Sequence, residues 1–198
     1  MMDARVIAIA GGIGSGKSVV QAILKAMGFS VYDCDVRAKE MMDSDIEIIN
    51  SIKNEICPQA VKCDHIDRRV LGSHVFNDPV SLEKLNTLVH GQVVKDFRKW
   101  REGKAISFVE TAILCTSGLD KEVNEIWIVS APEKLRISRV RSRNPHLSEL
   151  EILKRMEAQS KELEMLGKMN VNVIVNDGQT ALLPQIEALL TEVPPMGG

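Results

Sequence analysis

The chain has 198 residues, of which 44% are hydrophobic and 26% are charged, a composition typical of one globular domain. Its 25 Lys and Arg residues are matched by 27 Asp and Glu residues, so no overall basic charge favours a nucleic-acid partner. No apolar run approaches the roughly 20 residues that cross a bilayer, and we therefore expect neither a nucleic-acid substrate nor a membrane anchor.

The first predicted strand leads directly into a glycine-rich loop. Residues 5–10 are mostly β-branched residues and alanine, and residues 11–18 then read Gly-Gly-Ile-Gly-Ser-Gly-Lys-Ser. A helix is predicted next, because its apolar residues recur at helical spacing and Gly28 is typical of a left-handed C-cap. These apolar residues are Val20, Ile23, Leu24 and Met27.

A second strand, predicted over residues 29–32, leads to Asp33-Cys34-Asp35. Residues 36–101 then have mainly helical patterns. One apolar face contains the isoleucines at positions 46, 49, 52 and 56, and a longer helix is predicted to begin at Asp78-Pro79, a good N-cap and first-turn pair. The pattern predicts a helical insertion between two strands.

The second half of the chain returns to alternating strands and helices. Apolar strands are predicted over residues 105–114 and 125–129, and a last strand over 171–175 precedes a helix over 181–190. Between them, an arginine-rich segment with a capping box from Ser148 to Glu151 predicts two helices joined by a turn. The alternation indicates an α/β fold with a parallel sheet and helices on both faces.

Residues 11–18 match the complete phosphate-loop pattern Gly-x4-Gly-Lys-Ser. Its glycines allow successive backbone N–H groups to point at phosphate oxygens, and the following helix adds its positive end. Lys17 is expected to approach the β- and γ-phosphates of ATP, and Ser18 is expected to bind Mg²⁺. A chance match in this chain is on the order of one in a hundred, and the flanking strand and helix favour nucleotide binding over a glycine-rich turn.

The predicted nucleotide-binding residues are Gly12, Ile13, Gly14, Ser15, Gly16, Lys17, Ser18 and Val19. One such loop, without the Asn-Lys-x-Asp motif that reads guanine, favours a small ATP-dependent kinase. Two alternatives stay open. The chain is either another small-molecule or nucleoside monophosphate kinase, or a non-catalytic module that binds ATP.

Phosphoryl transfer also needs a carboxylate near the acceptor hydroxyl. Asp33 and Asp35 follow a strand, where open α/β sheets bind ligands, and period-two geometry allows both to face the same side. The alternative is that one of them only caps the helix beginning near Val36. Glu110, at the end of another strand, either acts on Mg²⁺ through water or has a structural role, and both readings stay open.

An arginine cluster between residues 135 and 159 is a further candidate for the site. Such a cluster can close over the triphosphate and neutralise charge as it moves between oxygens. The alternative is a solvated basic helix face.

Several motifs together resemble the dephospho-CoA kinase family over residues 9–186. In addition to the loop, they are Asp33-Cys34-Asp35, Asp67-Arg68-x2-Leu71, Val75-Phe76-x-Asp78, Leu82-Glu83 with His90, Arg139-x3-Arg143, Arg155-Met156-x2-Gln159 and Asn176-Asp177-Gly178. The resemblance implies transfer of the ATP γ-phosphoryl group to the ribose 3′-hydroxyl of dephospho-CoA, which completes coenzyme A biosynthesis.

The resemblance also implies roles for individual residues. The implied catalytic residues are Asp35 as the base, Asp33, Lys17 and Arg139. The implied acceptor-binding residues are Asp35, Arg68 and His90. Arg139 and Arg143 would belong to a lid, Arg143 would contact the nucleotide, and Asn176 would lie near the adenine.

The chain departs from the family pattern in two places. Gly91 follows His90 where the family usually has proline, and residues 112–116 read Ala-Ile-Leu-Cys-Thr where the family has Pro-Leu-Leu-Phe-Glu. The second change replaces a carboxylate by Thr116. The phosphate loop and Asp35 are unchanged, so we expect activity to be retained.

Three parts are predicted within one P-loop NTPase-like kinase domain covering residues 1–198. They are a nucleotide-binding core (1–35, 104–135 and 170–192), a helical acceptor-binding subdomain (36–101) and a helical lid (136–159). The expected ligands are ATP, Mg²⁺ and the small-molecule substrate dephospho-CoA. We expect a monomer or a small homo-oligomer.

The cysteines indicate the compartment. They are scattered without a CxxC pair: Cys34, Cys57, Cys63 and Cys115. This pattern favours reduced thiols in a cytoplasmic protein over a disulfide framework. A metal site at Cys57, Cys63 and His65 is disfavoured, because the spacing fits no zinc pattern.

Overall fold

A computed structural model describes residues 4–191. The strands within that range are β1 (Arg5–Ala10), β2 (Val31–Asp33), β3 (Val61–Lys62), β4 (His65–Ile66), β5 (Ile106–Glu110), β6 (Glu125–Ser130) and β7 (Asn172–Val175). The α-helices are α1 (Lys17–Ala26), α2 (Cys34–Ser44), α3 (Ile46–Ser51), α4 (Arg68–Asn77), α5 (Pro79–Arg101), α6 (Glu133–Arg143), α7 (Glu149–Glu157), α8 (Ser160–Leu166) and α9 (Leu182–Thr191). Shorter turns are the π-helical Ile52–Ile56 and the 3₁₀-helical Pro58–Ala60 and Leu119–Glu122.

The chain divides into two compact units, one formed by residues 1–32 with 103–198 and the other by residues 33–102. The sequence predicted a helical insertion over 36–101 within a core that ended at residue 192, and residue 192 lies outside the described range. The functions that the sequence assigned to these parts stay predictions.

The first unit is built on a five-stranded sheet with the order β2-β5-β1-β6-β7. The central strand β1 pairs in parallel with β5, where Ile7 faces Phe108, and with β6, where Ile9 faces Trp127. β6 in turn pairs in parallel with β7. Long apolar strands in this arrangement need cover on both faces. The parallel α/β sheet predicted from the sequence is confirmed.

The core of this unit is an apolar cluster formed by residues of the sheet strands and α1. The Phe108 and Trp127 rings meet edge to face, with centroids 5.4 Å apart, and Val20 and Leu24 of α1 are fully buried in the same cluster. α1 is therefore fixed to the sheet along one face. That packing holds the end of β1 and the start of α1 at a set distance, and the phosphate loop joins these two ends.

The second unit is mainly helical, as predicted, and α5 is its longest element. Asp78 caps α5 by accepting from the backbone N–H of Val80 at 3.1 Å, and Pro79 occupies the first turn, so the predicted helix start is confirmed. Arg37 of α2 donates to both carboxylate oxygens of Asp96 on α5, at 3.0 and 3.1 Å. This bidentate pair fixes α2 against α5.

A small β-hairpin interrupts the helices and was not predicted. β3 pairs antiparallel with β4, and the turn between them places Cys63 and Asp64 at φ 49° and 59°. Hairpin turns of this kind usually contain glycine, because both turn residues need positive φ. Neither residue is glycine here, so the sequence lacks the usual signal.

Candidate active site

The phosphate loop connects the strand β1 to the helix α1, as the sequence predicted. α1 begins at Lys17, immediately after the loop, and Ser15 donates its backbone N–H to the carbonyl oxygen of Gly12 at 3.1 Å. Gly16 precedes the helix with φ 101°, a left-handed conformation that favours glycine. The first turn of α1 therefore presents its free N–H groups and its positive end at the loop.

Lys17 lies between the loop and a buried carboxylate. Its ammonium group donates to the carbonyl oxygen of Gly11 at 2.9 Å and lies 3.7 Å from Oε1 of Glu110. The two charged side chains are only 13% and 12% exposed. Glu110 ends β5, the direct neighbour of β1, which is why the two residues meet. The contact places Glu110 beside the phosphate loop, and both roles that the sequence offered for it stay predictions.

Arg139 and Asn176 bind the carbonyl oxygens of the loop. Arg139 Nη1 lies 3.3 Å from the oxygen of Ser15 and 3.5 Å from that of Gly14, and its Nη2 donates to Asn176 Oδ1 at 3.0 Å. The buried Asn176 amide donates to the same Ser15 oxygen at 2.8 Å. A side chain at Gly16 would collide with this amide. Two residues that the sequence predicted for the site, one on α6 and one after β7, thus meet at the loop.

A cleft of about 340 Å³ opens beside the loop. Its lining residues are Gly14, Gly16, Ser18, Val19, Arg139, Ser142 and Arg143. The cleft brings the exposed Ser18 and Arg143, which the sequence predicted for nucleotide binding, to one surface. Glycine backbone, two hydroxyl groups and two guanidinium groups around a cavity suit a polyanionic ligand.

Glu162 binds the backbone of the loop after β5, a role that the sequence did not indicate. This residue on α8 is only 4% exposed, and its carboxylate accepts from the backbone N–H groups of Cys115 at 2.7 Å and Thr116 at 3.0 Å. The loop after β5 is the segment in which Thr116 stands where the family has glutamate. Glu162 therefore brings a carboxylate to the backbone of that position. A glutamate on the same helix face as the buried Leu166 was the available signal.

The predicted acceptor-side residues belong to the second unit. Asp33 accepts from the backbone N–H of Val36 at 3.0 Å and caps α2, so the capping role that the sequence offered as an alternative is present, with the helix beginning at Cys34. Asp35 is exposed in the first turn of α2. Its carboxylate lies at the positive end of the helix, where a negative charge is favoured.

Arg68 and His90 occupy different helices of that unit. Arg68 begins α4 and donates through Nη2 to the carbonyl oxygen of Lys39 and to Asp43 Oδ1, both at 2.8 Å. His90 lies half-buried on α5, and this burial lowers the pKa of its imidazole below the ordinary value of 6.5. At neutral pH the ring is therefore uncharged.

Within residues 4–191, no group of three or more His, Cys, Asp or Glu side chains forms a metal site by itself. Mg²⁺ in phosphoryl-transfer sites is typically held by one or two protein ligands together with the phosphates of the substrate. The hydroxyl of Ser18 on the cleft surface suits that arrangement. In the same range, no helix is both long enough and apolar enough to cross a membrane.

A parallel sheet whose central strand runs through this loop into a lysine-bearing helix defines a P-loop nucleotide-binding protein. The model of the dephospho-CoA kinase family matches residues 5–181. The chain belongs to the dephospho-CoA kinase family, which confirms both the resemblance found in the sequence and the predicted enzyme class, a kinase.

Relatives share most of their length with this chain. The dephospho-CoA kinase of Chlorobaculum tepidum is 37% identical over 182 residues, which cover 87% of this chain and 86% of that protein. A crystal structure of a Thermus thermophilus protein is 31% identical with a TM-score of 0.77, covering 96% of this chain and 98% of that one. The Campylobacter jejuni dephospho-CoA kinase, at 22% identity and a TM-score of 0.67 over 95% and 96% of the chains, has the same fold.

Proposed function

We propose that this protein transfers the γ-phosphoryl group of ATP to the ribose 3′-hydroxyl of dephospho-CoA, giving CoA and ADP. The observation that carries the nucleotide part is the cleft in which the glycine loop, Ser18 and Arg143 come together. Membership of the dephospho-CoA kinase family supports the acceptor. The reaction is the last step of coenzyme A biosynthesis, and the cytoplasm is the proposed location.

Binding of the triphosphate is assigned to residues 12–19. Backbone N–H groups of the loop and the N-terminus of α1 provide fixed partial positive charge. Lys17 supplies a full positive charge that binds the β- and γ-phosphates. Lys17 already lies at the loop beside Glu110 in this structure, 2.9 Å from the oxygen of Gly11, so it needs only a short movement to reach a phosphate. When bound, Mg²⁺ would neutralise phosphate charge, with Ser18 as its protein ligand.

Activation of the acceptor is assigned to Asp35. A carboxylate can accept the proton of a hydroxyl group as that oxygen attacks phosphorus. Asp33 fixes the beginning of the same helix through its cap on Val36. Arg68 and the uncharged His90 are proposed to bind the acceptor.

Segment 136–159 is proposed to act as the lid. Arg143 ends α6 at the cleft surface and is exposed, so its side chain is available to a triphosphate. Arg139 donates to the carbonyl oxygens of Gly14 and Ser15, and its proposed role is to hold the loop during transfer. The turn between α6 and α7 is the part of the segment expected to move when ATP binds.

A coupled assay for ADP release with a panel of acceptors tests the proposal. The expected result is ADP formation that depends on dephospho-CoA, with adenosine monophosphate and other nucleoside monophosphates at the buffer rate. Release that depends on a nucleoside monophosphate and not on dephospho-CoA would reassign the acceptor. ATP binding without turnover on any acceptor would indicate a non-catalytic ATP-binding module instead of a kinase.

A further inference from the structure

Ile13 is the residue at which the phosphate loop is held by the segment that runs from α6 to Gln159. Its backbone N–H donates to Gln159 Oε1 at 2.7 Å, and its carbonyl oxygen accepts from Arg136 Nε at 2.9 Å. The side chain of Ile13 packs against a buried cluster of three residues: Val140, Leu147 and Ile152. Both backbone polar groups and the side chain of one loop residue are therefore fixed by the same segment of the chain.

Arg136 also explains why the loop has glycine at position 12. A Cβ atom on Gly12 would overlap Nη2 and Cζ of Arg136. Gly12 is not among the loop glycines with positive φ, so its backbone conformation is one that alanine adopts. A side chain at position 12 would therefore displace the guanidinium group of Arg136.

Holding a carbonyl oxygen also sets the direction of the next N–H group. Because a trans peptide is planar, its C=O and N–H point in opposite directions. Arg136 holds the oxygen of Ile13, and this turns the N–H of Gly14 away from Arg136. Arg139 and Asn176 act in the same way on Ser15, whose peptide carries the N–H of Gly16. Gly14 and Gly16 are the two glycines that line the cleft.

One nitrogen of the Arg136 guanidinium group has no hydrogen-bond partner within residues 4–191. This atom, Nη2, is buried. An unpaired N–H group in such a position costs stability. A positive charge behind the loop attracts a triphosphate in front of it, and this attraction gives the buried group a functional reason.

We propose that Arg136 and Gln159 are positioning residues for ATP binding, which act through Ile13 by fixing the peptide planes of the phosphate loop. The inference rests on the proposed nucleotide site and does not depend on the acceptor. Neither side chain is assigned a contact with the substrate. The base of the lid segment thereby pre-organises the loop. A substitution at Arg136 should weaken binding of the triphosphate and leave binding of the acceptor unchanged.

The test measures binding of a fluorescent ATP analogue with Mg²⁺, together with the KM values for ATP and dephospho-CoA. For Arg136→Ala, we expect about a tenfold weaker ATP affinity and an unchanged KM for dephospho-CoA. Arg136→Gln keeps a donor for the Ile13 oxygen but removes the charge. Its ATP affinity should lie between those of the wild type and Arg136→Ala. Lys134→Ala is the matched control, because it removes an exposed positive charge from the same helix.

A double-mutant cycle with Gln159→Ala separates positioning from loss of stability. Gln159→Ala alone should weaken ATP binding by releasing the backbone N–H of Ile13, and in the Arg136→Ala background the same change should have a smaller effect, because both side chains act through Ile13. Additive losses in the cycle would overturn the proposal. So would an Arg136→Ala protein that melts earlier but binds the ATP analogue as tightly as the wild type. Because binding is measured without an acceptor, failure of dephospho-CoA turnover would count against the proposed reaction only.

Discussion

The ammonium group of Lys17 lies 3.7 Å from Oε1 of Glu110, and both side chains are largely buried. Glu110 ends β5, and Lys17 begins α1 after the loop that follows the neighbouring strand β1. The carboxylate offsets part of the cost of burying the lysine charge. It thus keeps a mobile cation at the phosphate loop, ready to move to a phosphate. The arrangement links the order of strands in the sheet to the chemistry of the loop.

Replacement of Lys17 by alanine should weaken ATP binding by about tenfold or more, because one hydrogen bond to a charged group contributes about 1.5–3 kcal/mol. Lys17→Arg should not restore the affinity, since the planar guanidinium group does not replace a compact ammonium group at the loop. Titration with the fluorescent ATP analogue measures both variants. Lys25→Ala, an exposed lysine on the same helix, is the control and should bind like the wild type.

Replacement of Asp35 by asparagine should lower kcat by ~10² or more and leave ATP affinity largely unchanged, because the amide cannot accept the proton of the acceptor hydroxyl. Steady-state kinetics and nucleotide titration are measured on the same preparation. Asp45→Asn is a matched control: Asp45 caps α3, and asparagine serves equally well as an N-cap. Unchanged turnover in the Asp35 variant would remove this residue from the mechanism.

His90 should make the stability of the protein depend on pH on the acid side of neutrality. Its folded pKa is lowered by burial, so the unfolded chain takes up a proton first as pH falls below 6.5. The stabilising contribution is therefore present above pH 6.5 and is lost as pH falls toward the folded pKa. His90→Gln should flatten the decrease in the free energy of unfolding as pH falls below 6.5, measured by urea unfolding.

The histidine at position 65 provides the comparison for this experiment, because it is exposed on β4 of the same unit. His65→Gln, which removes an imidazole from the same unit, is measured in parallel. Equal slopes for the wild type and the His90→Gln variant would show that His90 is not the group responsible.

The thiol of Cys115 should be unreactive near neutral pH. Burial and the neighbouring carboxylates of Glu162 and Asp120 raise its pKa to about 11, and only a thiolate reacts readily with an alkylating agent. Mass-spectrometric mapping should find iodoacetamide on the exposed Cys63 long before it modifies Cys115. Glu162→Gln should speed the modification of Cys115, because one of the negative charges that raise the pKa is removed. Cys115 alkylation as fast as that of Cys63 in the wild type would contradict this account.

ATP should protect the turn between α6 and α7 from proteolysis, since the proposed closure of segment 136–159 would bring Arg143 to the triphosphate. The measurement is the rate of cleavage within residues 144–147 with and without an ATP analogue. The turn of the hairpin between β3 and β4 lies in the other unit and is the internal reference. Equal cleavage rates at residues 144–147 under both conditions would count against a moving lid.

Local signals were sufficient to predict most elements. Asp78-Pro79 at the start of α5 and the capping box of Ser148 and Glu151 are formed by residues close in sequence, and both are present as predicted. The phosphate loop was likewise predictable, because a glycine pattern between a strand and a helix specifies its own backbone path. The family then followed from motifs spread over the whole chain.

Relationships between distant residues were not predictable in the same way. The hairpin turn at Cys63 and Asp64 lacks the glycine that normally indicates positive φ. Arg136 stood within a predicted arginine cluster, but its contact with Ile13 depends on how α6 packs against a loop more than a hundred positions earlier. Side-chain direction on a helix is set by such packing and not by local sequence.

Transfer of labelled phosphate provides the most direct test of the proposed reaction. Purified protein is incubated with ATP carrying a labelled γ-phosphate, Mg²⁺ and dephospho-CoA, and the products are separated and identified by mass spectrometry. The account predicts label in CoA, on the ribose 3′-oxygen, and unlabelled ADP. Label that appears only in inorganic phosphate, or in no product while ATP binds normally, would contradict it.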